Sequence, residues 1–148
     1  MKPYLSIFFI ALLFVSCSKE ETLFEPQTEA DIIKYIADNN LEAKKTSSGL
    51  YYVIEKEGSG QNPTANSNVT VAYKGYFLNG RVFDQNSSGY TTSLRQVIPG
   101  WTEGIQLFKE GGEGVLLVPY NLGYGSNGNA AIPGGSVLVF DIKLISIN

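Results

Sequence analysis

The chain has no histidine, and only one cysteine, one methionine and one tryptophan among 148 residues. Without histidine there is no Ser-His-Asp triad, no Cys-His pair, no imidazole proton shuttle and no His-ligated zinc. A lone cysteine forms no intrachain disulfide and no multi-cysteine metal site. Basic charge is sparse as well: 11 Lys and Arg stand against 14 Asp and Glu, a net charge of −3. Nucleic-acid binding needs a basic face to neutralise phosphates, and no run of Lys or Arg supplies one. Charged residues reach only 17%, but hydrophobic residues reach 43%, which suits a globular core rather than a disordered chain. The length fits one domain of ordinary size. What the chain has in plenty is glycine (16), tyrosine (9) and phenylalanine (8).

The one long apolar run lies at the start. After the basic Lys2, Tyr4 to Val15 (YLSIFFIALLFV) gives 12 residues, short for a membrane span and right for the core of a secretory signal peptide. Ser16-Cys17 follows, and a small residue before a lone cysteine at that point resembles the bacterial lipobox. There, cleavage precedes the cysteine, which is then acylated. Phe14 stands three places before Cys17, where Leu is usual; Leu13 is one place too early. The alternative is an ordinary cleavage site followed by an incidental cysteine. On the lipobox reading residues 1–16 are a lipoprotein signal peptide, and removing them leaves 132 residues. Only Lys2 among them is charged, so the balance moves from −3 to −4. More than one acyl chain gives stable anchoring. Ser18-Lys19-Glu20-Glu21 resembles signals that send lipoproteins to the cell surface, and reads equally well as a solvated tether. The implied location is the bacterial cell envelope, lipid-anchored at the outer membrane, on its periplasmic face or at the cell surface.

Residues 17–29 read as a polar tether with one proline. Residues 30–46 change period: Ile32, Ile33, Ile36, Ala37 and Leu41 recur near helical spacing, with acids at the start and Lys44-Lys45 at the end. This predicts a short amphipathic helix. Packing against its own domain is favoured over dimerisation, because a single short helix makes a weak interface. From Ser48 onward the texture is β-rich. Strands are predicted over residues 50–57, 69–78, from Arg81, over 91–94, 114–118 and 136–147, with Asn79-Gly80 as a hairpin turn and 86–89 as a loop. Trp101, Ile105 and Phe108 fall on one helical stripe, so residues 100–110 read as one short helix ended by Gly111-Gly112. Spacing alone therefore gives an antiparallel α+β domain of five or six strands with one central helix.

Four blocks in the second half carry a more specific signal: VAYKGYFLNGRVFD (71–84), QVIPGWTEGIQLFKEGG (96–112), VPYNLGYG (118–125) and AIPGGSVLVFDIKLI (131–145). In order and spacing they resemble the FKBP-type peptidyl-prolyl cis-trans isomerases. The resemblance covers about residues 48–148, and the preceding helix with SSGLYYVIEKEGSG (47–60) looks like bacterial lipoprotein members. It implies an α+β, FKBP-like curved antiparallel β-sheet wrapped around one short α-helix, preceded by a short N-terminal helix. Residues 47–148 would be the isomerase domain.

The resemblance also implies a proline pocket. Trp101 would be its floor, and Tyr73, Phe83 and Phe140 its walls. Asp84, the one buried-looking acid, would orient Tyr73 or a neighbouring side chain and shape the pocket's field. Ile98 would offer its backbone N–H and Tyr124 its hydroxyl to substrate carbonyls. Val97, Tyr90 and Ile132 would contact substrate. By pattern alone Tyr73, Phe83 and Phe140 read sooner as core, Trp101 as a packing anchor and Asp84 as a turn residue. Tyr90 replaces the usual Phe, Thr92 stands where an apolar residue is common, and the loop 128–131 is small. The implied partners are proline-containing polypeptides, FK506/rapamycin-type macrolides, and a membrane through Cys17. No cofactor, metal or nucleic acid is implied. The expected activity is X–Pro isomerisation during folding of exported proteins. Two alternatives are a proline-peptide-binding chaperone with little catalysis, and a structural lipoprotein acting through its helix.

Overall fold

The structure, a computed structural model, describes residues 24–148. The signal peptide, Cys17 and the Ser18–Glu21 stretch expected from the sequence lie outside those residues.

Six antiparallel strands form one sheet. They are β1 (Lys44–Lys45), β2 (Tyr51–Lys56), β3 (Asn68–Phe77), β4 (Val82–Ser93), β5 (Glu113–Val118) and β6 (Leu138–Ile147), in spatial order β1-β2-β5-β6-β3-β4. Alternation along the strands sorts side chains onto two faces. Leu116 and Val118, with Leu138, Phe140, Ile142 and Leu144, point to one face and form the larger core with Trp101, Ile105 and Phe108. Val115, Leu117, Val137 and Val139 point to the other, where they meet Tyr51, Val53 and Ile32.

The helix α1 (Glu29–Asp38) covers that second face, with Ile32 only 1% exposed. Thr28 N donates to Asp31 Oδ2 at 2.6 Å, closing its N-terminus. Glu29 accepts hydrogen bonds from Tyr51 Oη (2.6 Å) and pairs with Lys45 (2.5 Å), fastening the helix to β1 and β2. The helix packs on its own sheet, but it is shorter than residues 30–46. Asn40 takes a left-handed conformation (φ 53°), Asn40 N donates to Ala37 O and Leu41 N to Ile36 O, which is a Schellman closure. Beyond it Lys44-Lys45 pair with Tyr52 and Tyr51 as an edge strand. The end of the tether is also built in: Gln27 N donates to Gly135 O and Gln27 Oε1 accepts from Val137 N.

Two further expectations are corrected. Residues 86–89 are a bulge inside one continuous strand, β4, rather than a loop between two. Between the pairs Val71–Tyr90 and Tyr73–Asn86, β3 advances two residues and β4 four. The surplus is folded around Asn86 Oδ1, which accepts from Ser88 N and Gly89 N. The helix expected over 100–110 is α2 (Pro99–Gly104), tightening to a 3₁₀ turn at Ile105–Leu107. Asn62 Nδ2 satisfies the Gln106 and Phe108 carbonyls (2.9 and 3.1 Å), so the chain leaves the helix there. The expected stripe is nevertheless buried: Trp101, Ile105 and Phe108 are 5%, 0% and 1% exposed.

Candidate functional site

The site begins with how closely α2 lies on the sheet. A Cβ on Gly100 would stand 2.5 Å from Val118 Cγ1, and one on Gly104 2.6 Å from Leu116 Cδ1. Two glycines on one helix face thus let α2 approach β5. Pro99 at the first turn suits the helix start, and Trp101 N closes onto Ile98 O at 2.9 Å. That first turn carries the Trp101 indole, only 5% exposed.

Rings from three strands stand around it. Tyr73 of β3 meets the indole edge-on, with centroids 5.0 Å apart, and Phe140 of β6 does the same at 5.4 Å. Phe83 of β4 stands at 88° to Phe140 at 5.6 Å, and Tyr90 at 67° to Tyr73 at 6.1 Å. Edge-to-face geometry is the favoured arrangement for such rings. Gly75 makes room, since a Cβ there would lie 2.7 Å from the Phe83 ring and 2.8 Å from Phe140. The result is a hollow of about 390 Å³ lined by these rings with Asp84, Gln96, Val97, Ile98 and Tyr124.

Polar groups sit at its edge. Tyr73 Oη donates to Asp84 Oδ2 at 2.6 Å. Burial, reinforced by that hydrogen bond, pushes the Tyr73 phenol well above its ordinary value. Burial first, then the negative charge of Asp84, also raises Tyr124. The Ile98 N–H has no acceptor among the described residues. Neither does Trp101 Nε1, although it is buried. The lining holds no Ser, Thr, Cys or Lys, and its one carboxylate, Asp84, is engaged by Tyr73. It can desolvate an apolar ring and donate hydrogen bonds to carbonyls beside it.

Nine of the ten pocket residues expected from the sequence line this hollow: Tyr73, Phe83, Asp84, Tyr90, Val97, Ile98, Trp101, Tyr124 and Phe140. Ile132 does not. It is 4% exposed inside the larger core, with its N–H held by Asn129 Oδ1. Asp84 is exposed rather than buried, because it sits on the outer strand β4 at the rim. Gln96 lines the hollow and was not singled out, though it opens the block that carries Val97, Ile98 and Trp101. A larger and more open hollow of about 650 Å³ lies on the other face of the sheet, lined by Glu55, Lys74, Glu113, Asp141 and Lys143 among others. Its charges already bond one another, as Lys143 Nζ does with Glu113 Oε1 at 3.1 Å. It lacks the apolar floor that a small-molecule or side-chain pocket needs. Among the described residues no helix is long and apolar enough to cross a membrane.

Comparison with known proteins points to one family. The model of the FKBP-type peptidyl-prolyl cis-trans isomerases matches residues 59–145. A probable FKBP-type peptidyl-prolyl cis-trans isomerase FkpA of Neisseria meningitidis is 49% identical over 108 residues, 70% of this chain and 40% of that protein. FkpA of Escherichia coli K12 is 41% identical over 107 residues, again 70% of this chain and 40% of its own length. The chain thus spans about two fifths of these relatives. The crystal structure of FkpA from Escherichia coli superposes with a TM-score of 0.75 at 34% identity, covering 80% of this chain and 58% of that one. A peptidyl-prolyl cis-trans isomerase structure from Pseudomonas syringae gives 0.72 at 30%, covering 84% and 98%.

Proposed function

The chain belongs to the FKBP-type peptidyl-prolyl cis-trans isomerase family, and on that premise we propose that it accelerates X–Pro isomerisation in polypeptide clients at the cell envelope. The barrier to this rotation, about 18–20 kcal/mol, comes from amide resonance. No covalent bond is made or broken, so the reaction asks for no nucleophile. In the twisted state the amide loses its charge separation, and an apolar, water-poor cavity disfavours the planar form relative to it. Each tenfold acceleration needs about 1.4 kcal/mol of that preference.

The Trp101 floor supports this most directly: an indole 5% exposed, met edge-on by Tyr73 and Phe140, beneath an open aromatic hollow. In the proposed mechanism the pyrrolidine ring rests on Trp101 between Tyr73, Phe83 and Phe140. The Ile98 N–H and the Tyr124 hydroxyl donate to carbonyls flanking the rotating bond. Asp84 holds Tyr73 upright, and Val97 and Tyr90 contact the neighbouring residues. Upstream, Cys17 carries the lipid anchor and the residues between it and Pro26 set the domain off from the membrane.

A second reading, a proline-peptide-binding chaperone with weak catalysis, draws on one observation. Ile132 is withdrawn into the core and residues 129–131 are exposed away from the hollow's lining, so the cup is low on that side. Exchange spectroscopy on a short X–Pro peptide measures binding and isomerisation in one sample. Acceleration that a rapamycin-type macrolide suppresses is the expected result. Binding without acceleration selects the chaperone, and neither effect rejects both. For the anchor, Cys17→Ser should move the chain from the membrane fraction to the soluble one.

A further inference from the structure

Gln27 lies outside the hollow, yet it holds the 135–137 segment, which is bonded in turn to the loop that carries Tyr124. Its backbone N–H donates to Gly135 O at 2.9 Å, and its side-chain Oε1 accepts from Val137 N at 2.8 Å. Pro26 packs directly on Gly135, where a Cβ would stand 2.7 Å from Pro26 Cα. Gly135 has a left-handed backbone, φ 78°, and its own N–H donates to Gly125 O at 2.9 Å. Gly125 is the neighbour of Tyr124, and its N–H is held in turn by Tyr120 O at 2.8 Å. Each link on this route is a backbone hydrogen bond, so it runs from Gln27 N to the Tyr124 backbone through no side chain; the Gln27 side chain holds the same segment down at Val137.

The Gln27 side chain also reaches the residue that leads into β6. Val137 is fully buried, and three residues further along the chain is Phe140. The Val137 N–H is buried with it, and Gln27 Oε1 is its hydrogen-bond acceptor. A buried N–H left without an acceptor is costly. Removing the Gln27 amide therefore forces the 135–137 segment to shift or to admit water. Either response loosens the loop that presents Tyr124.

We propose that Gln27 is a positioning residue: it straps the 135–137 segment down and so fixes where the Tyr124 hydroxyl meets substrate. This rests on the isomerase reading of the hollow. It makes the stretch just ahead of α1 part of the working domain and not merely a spacer. The strap tunes the reaction while touching no substrate.

The test uses the full chain and a short X–Pro peptide. Gln27→Ala should lower kcat/KM about five-fold, the size of one net hydrogen bond. Gln27→Glu, which keeps an acceptor for Val137 N, should restore most of the loss. In a Tyr124→Phe background Gln27→Ala should add little, because the two act through one contact. An unchanged kcat/KM in Gln27→Ala overturns the proposal. So does an equal loss with and without the Tyr124 hydroxyl, which would mark a purely structural role. Amide hydrogen exchange decides the matter separately if the parent chain accelerates nothing, an outcome that rejects the isomerase reading. Exchange at Gly125 and Gly135 should then rise in Gln27→Ala while the β2 amides stay as they were; unchanged exchange at both glycines overturns the strap.

Discussion

The two faces of one sheet carry hollows of opposite character. On the α2 side a cup of about 390 Å³ is walled by aromatic rings; on the other, about 650 Å³ is lined mostly by charged and polar residues. Neighbouring residues of β6 feed both: Phe140 lines the first, Asp141 and Lys143 the second. The smaller hollow is the better site because, beyond the Tyr73–Asp84 bond, it keeps unspent donors. Ile98 N–H and Trp101 Nε1 have no partner among the described residues. In the larger hollow Glu113 pairs with Lys143 and Lys56, and Asp141 accepts from Tyr76. Volume alone does not make a binding site; desolvated surface with donors still available does.

Substitutions that erase this contrast should act in a graded way. Phe140→Ala removes a ring 4% exposed and opens a cavity, so it should cost about 3–5 kcal/mol of stability and lower isomerisation at least about tenfold. Thermal melting and peptide exchange read the two effects. Gly75→Ala attacks the cup from beneath by pushing Phe83 and Phe140 apart. Overpacking of that kind should cost about 1–3 kcal/mol and reduce activity with every lining residue still present.

Tyr73→Phe is milder, about 1 kcal/mol for its hydrogen bond to Asp84. It also carries a pH signature. The folded phenol titrates above its ordinary value. Below about pH 10 it is protonated in both folded and unfolded chains, and its contribution is complete. As pH rises further the unfolded chain releases its proton first, so stability falls. Denaturant melts between neutral and strongly alkaline pH should show a shallower decline in Tyr73→Phe than in the parent. The smallest effect belongs to the other face: Lys143→Ala breaks an exposed pair and should leave melting and exchange rates within error of the parent.

Much of this contrast was legible in residue spacing. Alternation in residues 69–78 sets Val69, Val71 and Tyr73 apart from Thr70, Ala72 and Lys74, and the stripe of Trp101, Ile105 and Phe108 anticipated the central packing. The choice between pocket and core for Tyr73, Phe83 and Phe140 was not, since period two sorts faces and says nothing of an open end. The misjudged features depend on contacts distant in sequence. Asp84 is exposed because β4 is an outer strand, and strand order is not written locally. The 86–89 segment stays in β4 because β3 continues to pair on either side of the bulge. Helix α1 stops early because Asn40 accepts a left-handed backbone, a choice that helical periodicity cannot register. Gln27 looked like tether because its partners lie more than a hundred residues away.

The most direct test of the aromatic floor is exchange spectroscopy on an X–Pro peptide with the parent chain and folded Trp101→Leu. The account predicts acceleration by the parent and at least about a tenfold loss in the variant, equivalent to about 1.4 kcal/mol or more of lost preference for the twisted amide. Equal acceleration by both would contradict it.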